Sequence, residues 1–257
     1  MSVAPKPILI FVPTYNELEN VTPLATNLLA LAVKPDVLFL DDNSPDGTGA
    51  LLDELAIKEP RLKVIHRSGK QGIGSAHQVG IRWAYSHGYK ILVTMDADFT
   101  HSPDNIPRLL EKSEDSEVVV GSRYMQSESL KGWNPLRKFL TWTAHFLTTV
   151  LLRLTYDSTG AFRLYRLDKI PVELFDLVLS KSYSFFFESL HLLNFNHFKI
   201  TEIPIRLPPR TYGSSKMSYK DATKSIGFLF STFFKTVFQR DSIRLKSKPA
   251  KEREVTA

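Results

Sequence analysis

The sequence predicts an α/β protein built on a mostly parallel sheet with helices on both faces. Short apolar runs alternate with segments of helical spacing through the first half of the chain, and four of the runs end in polar clusters. Strands separated by helices of this length pair in parallel, because the helix returns the chain to the starting edge of the sheet. We therefore expect functional loops at the carboxyl ends of the strands.

The elements follow one another in a regular order. Apolar runs predict strands at residues 7–12, 36–40, 62–65, 91–95 and 118–120. Leucine and alanine at helical spacing predict a helix at residues 18–31, and further helices are expected at 48–57, 74–87 and 103–114. Pro103 opens the last of these helices, since proline suits the first helical position.

Composition limits the classes of protein that fit. With 257 residues and 43% hydrophobic content, the chain can bury a large core, and we expect one domain over residues 1–240 followed by a flexible charged tail at 241–257. The absence of cysteine excludes disulfides, thiolate nucleophiles and cysteine zinc sites. The short polar N-terminus predicts no signal peptide and a cytoplasmic protein. The net charge of +6 favours an anionic partner: nucleic acid, a membrane surface or a phosphorylated substrate.

Two carboxylates flank a small residue in Asp96-Ala97-Asp98, directly after an apolar strand. Such a turn delivers carboxylate oxygens to the sheet edge, where hard divalent cations bridge carboxylates to phosphates. The pattern alone fits a solvated turn equally well, because aspartate favours turns for its own hydrogen-bonding reasons. The neighbouring loops favour a metal and diphosphate site.

Polar clusters follow four of the predicted strands. Each has a local interpretation as turn or helix-cap chemistry. A nucleotide-diphosphate pocket explains all four together, at residues 13–17, 41–48, 96–101 and 121–124.

These loops also carry motifs of a known family. With Tyr212-Gly213-Ser214-Ser215-Lys216, they resemble family 2 inverting glycosyltransferases, specifically the dolichol-phosphate (polyprenol-phosphate) mannose synthases, over about residues 7–220. The resemblance implies a GT-A fold, a nucleotide-sugar donor that is usually GDP-mannose, a Mg2+ or Mn2+ ion and a polyprenyl or dolichyl monophosphate acceptor. A UDP-glucose or other nucleotide-sugar enzyme remains the alternative, because these motifs do not separate the donors. The other motifs are Pro13-Thr14-Tyr15-Asn16-Glu17, Asp41-Asp42-Asn43-Ser44-Pro45-Asp46-Gly47-Thr48, Asp96-Ala97-Asp98 and Gly121-Ser122-Arg123-Tyr124.

The resemblance implies roles for individual residues on the donor side. Pro13, Tyr15 and Glu17 match the family's contacts to the base and ribose. Leu40 and Asp42 match the residues that close the nucleoside pocket. Those matching the diphosphate and metal turn are Asp96, Ala97 and Asp98. Thr100 stands where the family often has glutamine, so it is a candidate third metal ligand whose place a water could take.

Cationic residues complete the predicted catalytic set. Bringing a nucleoside diphosphate to a phosphate acceptor joins two polyanions, so fixed positive charge is required. The family's donor and phosphate contacts correspond to Arg123, Arg210 and Lys216, and the residue that receives the lipid phosphate corresponds to Arg137. We expect no general base, because a phosphate monoester with its second pKa near about 6 is already nucleophilic. His101 is expected to be a structural or acceptor-side residue rather than a base, and Glu188 to orient the acceptor side.

Two apolar segments predict contact with a membrane surface. Residues 139–152 contain 14 positions without Lys, Arg, Asp or Glu, too few for the about 20 of a spanning helix. Basic and tryptophan residues flank this segment, and residues 226–238 repeat the pattern with phenylalanines. We expect interfacial helices at about 136–156 and 218–239, and a peripheral protein on the cytoplasmic face of a membrane. The family resemblance adds a possible small membrane-anchor subunit. Helices buried in the core are the alternative.

Other classes fit less well. A Rossmann oxidoreductase requires Gly-x-Gly-x-x-Gly after the first strand, where this chain has residues 13–17 without glycine. A nucleotidyltransferase acting on sugar phosphates leaves the apolar helices unexplained. A non-enzymatic basic domain that binds nucleic acid or membrane fits the charge. Its phenylalanines, however, form an apolar stripe rather than a stacking platform, so we expect no nucleic-acid partner.

Overall fold

The structure is a computed structural model that describes residues 8–126, 129–130, 133, 135–208 and 219–246, without the side chains of 136, 137, 219 and 220. The strands are β1 (Ile8–Thr14), β2 (Asp36–Asp41), β3 (Leu62–His66), β4 (Ile91–Thr94), β5 (Val118–Ser122), β6 (Arg163–Arg166) and β7 (Ile200–Pro204). The helices are α1 (Leu18–Leu29), α2 (Thr48–Lys58), α3 (Ile73–Ser86), α4 (Ile106–Lys112), α5 (Pro135–Leu152), α6 (Glu173–Asp176), α7 (Phe185–Phe195) and α8 (Tyr219–Phe238).

The strands form one mixed sheet in the order β3-β2-β1-β4-β6-β5-β7. All pairs are parallel except those of β6, which runs antiparallel to both β4 and β5. The expected mostly parallel α/β architecture is confirmed. The sequence did not predict β6 or β7. β1 lies between β2 and β4, so the chain order reverses beside it, and ligands in such sheets bind at that reversal.

The core lies on both faces of the sheet. Leu9 and Phe11 of β1 belong to the cluster under α3 and α7, whereas Ile10 and Val12 belong to the cluster under α1, α2 and α4. This alternation follows from the two-residue period of a strand. Burying each such side chain contributes about 1.5–3 kcal/mol to folding. The rigid sheet fixes the strand ends, and therefore the loops of the site.

Helices α5 and α8 pack against each other at one side of this domain. A small cluster that includes Leu152, Leu229 and Phe187 fills the space between them and α7. The predicted interfacial segments are thus helical, although α5 ends at Leu152, four residues before the expected end. No helix in the described ranges is both long enough and apolar enough to span a bilayer.

The chain stays packed after α8. Residues 240–243 form a 3-10 turn with Ile243 buried. The side chain of Asn196 donates to the carbonyl of Ile243 and accepts from the amide of Leu245. The prediction of a flexible tail from residue 241 is wrong as far as residue 246. Ile243 and Leu245 pack against the core cluster that includes α7 side chains, and this packing holds the segment on the domain.

Candidate active site

A cleft of about 410 Å3 opens at the carboxyl ends of the strands. It gathers loops from β1, β2, β3, β4 and β5, as the strand order requires. Nine of the residues proposed from the sequence line it: Pro13, Tyr15, Glu17, Asp42, Asp96, Ala97, Asp98, Thr100 and Arg123.

Leu40 is not among them. Its side chain is 0% exposed and lies in the core with Leu38 and Phe11. Its carbonyl accepts a hydrogen bond from the hydroxyl of Thr14, a neighbour of the cleft. The expectation that the Leu40 side chain closes the nucleoside pocket is wrong in this structure, because Leu40 is still within β2 and points into the sheet core.

Hydrogen bonds join the loops after β1 and β2. The amide of Asn16 donates to Ser44 Oγ over 3.0 Å, and the amide of Glu17 donates to Thr48 Oγ1 over 3.0 Å. Asp46 accepts from the amides of Leu18 and Thr48. Burial acts to raise the pKa of Asp46, but these hydrogen bonds outweigh it and hold the pKa below its usual value. The turn residues of 43–48 thus brace the wall of the cleft.

Asp42 is held by an arginine that sequence reasoning missed. Arg67, in the loop after β3, makes a two-pronged ion pair with Asp42, with Nη2 2.6 Å from Oδ2. Its Nη1 donates to Ser75 Oγ at the start of α3 over 2.7 Å. Arg67 therefore fixes Asp42 in one orientation at the cleft. No local signal identifies the pair, since 25 residues separate its members.

A second missed residue is Lys70, from the same loop as Arg67. Its Nζ lies 4.0 Å from the centre of the Tyr15 ring, and both residues line the cleft. Two residues later Gly72 adopts φ +94°, and a Cβ there would meet the carbonyl oxygen of Lys181 at 2.2 Å. Only glycine fits this position, so the loop closes against residues 181–182.

The aspartate turn after β4 presents its two carboxylates differently. Asp96 is about one-third exposed to the cleft, with 37% of its side chain accessible, whereas Asp98 is buried. Asp98 Oδ1 accepts from both the hydroxyl and the amide of Thr100, at 2.6 and 3.2 Å. Thr100 thus orients Asp98, and its role as a metal ligand stays a prediction. Within the described ranges, no group of three or more His, Asp or Glu side chains could hold a metal ion.

His101 has a structural place behind this turn. Its Nδ1 accepts from the amide of Asp96 over 3.1 Å, and its ring stacks on Phe162 with centroids 5.2 Å apart. Burial is the largest influence and keeps the pKa of His101 below its ordinary value, despite the opposing effect of Asp96 and Asp98. A neutral imidazole that accepts at Nδ1 holds the turn, and His101 also lines the cleft.

Arg123 is paired in the cleft wall. Its Nε lies 2.7 Å from Oδ2 of Asp157, and its Nη2 lies 3.1 Å from Oδ1. Burial acts to raise the pKa of Asp157, but the attraction of Arg123 is stronger and the pKa lies below its usual value. The amide of Asp157 in turn donates to Glu202 of β7 over 2.7 Å. Arg123 is therefore a preoriented cation whose charge Asp157 balances.

Residues of the 157–166 segment lie beside Arg123 in the cleft wall. Thr159, Gly160 and Ala161 line the cleft. Arg163 is fully buried, and it donates to the carbonyls of Phe186 and Ser158 over 2.7 and 2.9 Å. This arginine ties the loop to the start of α7, so its role is structural.

Glu188 also serves the scaffold. Its carboxylate accepts from the amides of Leu179 and Ser180. Burial raises the pKa of Glu188 despite these hydrogen bonds. The expected direct role on the acceptor side is not seen, because Glu188 lies inside α7 and instead supports the loop that brings Ser182 and Tyr183 to the cleft.

Three predicted cations cannot be located at the cleft. Arg210 and Lys216 lie outside the described residues, as does the rest of the 212–216 motif. Arg137 lies in the first turn of α5, but its side chain is outside the described part of the structure. Their phosphate-binding roles stay predictions.

The fold and the cleft are those of a glycosyltransferase with the GT-A fold. The chain belongs to the family described as "Glycosyl transferase family 2", whose model matches residues 9–171.

Two curated relatives are similar over most of their length. Undecaprenyl-phosphate mannosyltransferase from Micrococcus luteus is 38% identical over 213 residues, covering 82% of this chain and 87% of that protein. Polyprenol monophosphomannose synthase from Mycolicibacterium smegmatis is 38% identical over 216 residues, covering 82% and 80%.

Solved structures share the fold at lower identity. Glucosyl-3-phosphoglycerate synthase from Mycobacterium tuberculosis, in complex with Mn2+, UDP and phosphoglyceric acid, has a TM-score of 0.63 at 18% identity, covering 89% of this chain and 78% of that one. The same enzyme with Mg2+ and UDP has a TM-score of 0.60 at 17% identity, covering 88% and 79%.

Proposed function

We propose that this protein is an inverting glycosyltransferase that moves mannose from GDP-mannose to a polyprenyl, dolichyl-type, monophosphate. The observation that carries the proposal is the position of the cleft: one wall holds Asp96 and Asp98, and Asp221 of α8 belongs to the same lining. A polar donor site thus lies next to a helix with an apolar outer face. The names of the two relatives at 38% identity support mannosyl transfer to a polyprenyl phosphate.

In the proposed reaction, a phosphate oxygen of the acceptor forms a bond to the anomeric carbon of the sugar. The bond from that carbon to the donor diphosphate breaks, and the nucleoside diphosphate leaves with the electron pair. Attack from the opposite face inverts the configuration. The acceptor needs no general base, because a phosphate monoester is largely a dianion at neutral pH, with a second pKa near about 6. Positioning and stabilisation of the leaving group then carry catalysis.

The aspartate turn fits a divalent cation. Asp96 and Asp98 offer the hard oxygen ligands that Mg2+ and Mn2+ prefer, and two carboxylates leave coordination positions for phosphate oxygens and water. A bound ion would stabilise the negative charge that develops on the leaving diphosphate. Thr100 holds Asp98 in place for this task, and His101 holds the backbone at Asp96. Enzymes with this fold have been solved with either metal.

Helices α5 and α8 form the proposed membrane-binding face. Large apolar side chains at helical spacing are exposed on each helix. Phe146 is 64% exposed and Phe238 is 75% exposed. Aromatic side chains at a headgroup boundary provide adhesion. The outward residues are Phe139, Leu140, Trp142, Phe146 and Val150 on α5, and Ile226, Phe230, Phe234, Val237 and Phe238 on α8.

Basic residues accompany this face. Lys224 and Arg153 are exposed at the ends of the apolar stripes, where they would attract anionic lipid headgroups. The proposal therefore includes peripheral attachment to the cytoplasmic face of a membrane, where a polyprenyl phosphate presents its headgroup. A small anchor subunit would be a further partner.

UDP-glucose is the alternative donor, because glucosyl-3-phosphoglycerate synthase of the same fold was solved with it. A donor and acceptor screen decides between them. Purified protein with Mg2+ is supplied with labelled GDP-mannose or UDP-glucose, and with undecaprenyl phosphate, dolichyl phosphate or free inorganic phosphate. We expect label in the organic phase only for GDP-mannose with a lipid phosphate. Product with UDP-glucose alone would reassign the donor, and no lipid-linked product with either donor would reject the proposal.

A further inference from the structure

Lys70 is the cation in the cleft that the proposed function leaves unused. Arg123, the other cation in the described lining, is balanced by Asp157, whereas Lys70 makes no ion pair with a described carboxylate. Its ammonium rests instead over the ring of Tyr15. At an exposed site such a contact is weak. A polar group of a ligand can therefore take the ammonium from the ring at little cost.

The sheet order places Lys70 at the nucleoside end of the cleft. Lys70 follows β3, and the Asp96–Asp98 turn follows β4, at the other end of the β3-β2-β1-β4 row. With neighbouring strands about 4.8 Å apart, these two strand ends are separated by roughly 14 Å. A nucleoside diphosphate whose phosphates lie at the aspartates extends its base toward the loops after β1, β2 and β3. The Lys70 side chain reaches from the loop after β3 to the Tyr15 ring in the loop after β1, so its ammonium lies along the path of the nucleoside.

The two charged groups at this end have opposite hydrogen-bonding roles. Asp42 can only accept, and Arg67 holds both of its oxygens. The ammonium of Lys70 has three donors and no acceptor. It therefore pairs with an oxo group or ring nitrogen on the edge of a base. Guanine offers two neighbouring acceptors on one edge, where adenine has an amino donor beside its ring nitrogen.

We propose that Lys70 is a specificity-determining residue of the nucleoside subsite, where it donates to an oxo group of the base. This inference rests on the proposed function, because it takes the cleft to bind a nucleoside diphosphate sugar. The site then prefers guanine and uracil, which have an oxo group at the position where adenine and cytosine have an amino group that repels the ammonium. Lys70 is not in contact with the reacting atoms.

The test compares base selectivity in two lysine variants. Lys70→Met keeps the length and the apolar stem over Tyr15 but removes the charge. Lys90→Met is the matched control, because Lys90 is also exposed but lies just before β4, at the amino ends of the strands, away from the cleft. Isothermal titration with GDP, UDP, ADP and CDP in Mg2+ gives a Kd for each protein, and a thermal melt checks folding.

We expect the wild-type protein and Lys90→Met to bind GDP or UDP more tightly than ADP and CDP. Lys70→Met should lose about tenfold in affinity for the preferred base and little for ADP, which reduces the selectivity ratio. An equal loss for all four ligands would mean that Lys70 acts on the phosphates, and no loss would make it a surface lysine; both overturn the inference alone. A wild-type protein that binds none of the four overturns the proposed function as well.

Discussion

The hydroxyl of Thr100 donates to Oδ1 of Asp98 over 2.6 Å, and both residues are buried at the floor of the cleft. A buried carboxylate held by a neighbouring donor has one orientation rather than several. Thr100, which replaces a glutamine common in the family, thus orients the carboxylate of Asp98. Its contribution to the site is the geometry of Asp98.

Removing this hydroxyl should weaken the site without unfolding the protein. In Thr100→Val, Asp98 loses its side-chain donor, and we expect kcat to fall about tenfold and the half-saturating Mg2+ concentration to rise. Thr100→Ser keeps the hydroxyl and should stay near wild type in both quantities. Steady-state kinetics over a Mg2+ titration measures them. Valine and serine variants that behave alike would contradict an orienting role.

The Arg67 and Asp42 pair should matter to both stability and donor binding. Both side chains are largely buried, and breaking a buried ion pair by removing one partner costs about 3–5 kcal/mol. We expect Arg67→Met to lower the free energy of unfolding in urea by a few kcal/mol and to raise the KM for the nucleotide sugar. In Arg82→Met, the exposed pair with Asp176 is lost instead, and that control should change stability by less than about 1 kcal/mol. Equal losses of unfolding free energy in Arg67→Met and Arg82→Met would contradict a larger contribution from the buried pair.

Only part of this site could be predicted from the sequence. Asp96 and Asp98 were identifiable because a strand pattern ends directly before them, and the sheet order then fixed their edge. The contact between Arg67 and Asp42 depends on how β2 and β3 pair, which no local pattern contains. β6 was missed because it is four residues long and carries Arg163, a residue type that rarely lies in a core. The burial of Leu40 likewise follows from tertiary packing.

A buried histidine should make the protein less stable in acid. His77 is enclosed by the rings of Phe11, Phe185 and Phe186, and burial lowers its pKa to about 3. The unfolded chain takes up a proton near its ordinary pKa of 6.5, whereas the folded chain does not. The stability is therefore fully present above about pH 6.5 and falls between there and about pH 3, by up to about 1.4 kcal/mol per pH unit.

Replacing that histidine should flatten the acid side of the stability curve. Urea unfolding of His77→Leu between about pH 4 and pH 7 should show a slope smaller by about one proton than wild type, whatever its absolute stability. His87→Leu, at an exposed position, is the control. An unchanged slope in His77→Leu would mean that other groups dominate the acid response.

The apolar face of α8 should control attachment separately from chemistry. In Phe230→Ser with Phe234→Ser, the aromatic rings at the proposed membrane surface are lost while the cleft is unchanged. We expect weaker co-sedimentation with phosphatidylcholine vesicles that contain a minority of phosphatidylglycerol, and lower activity on long-chain acceptors. Activity on a short, water-soluble polyprenyl phosphate should be spared. Ile57→Ser removes an exposed apolar side chain on α2 and should change none of these. An equal loss of activity on both acceptors, or loss of the thermal unfolding transition, would mean that α8 is part of the folded core.

The most direct test of the proposed reaction is recovery of labelled mannose from GDP-mannose in the organic phase, with undecaprenyl phosphate and Mg2+, by wild type and Asp98→Asn side by side. Asp98→Asn keeps the shape of the side chain but removes the charge that would hold the metal and diphosphate. The account predicts a mannosylated lipid phosphate of inverted anomeric configuration from wild type, and at least about a hundredfold less from a folded Asp98→Asn protein. Transfer at a comparable rate by both proteins, or none by wild type, would contradict it.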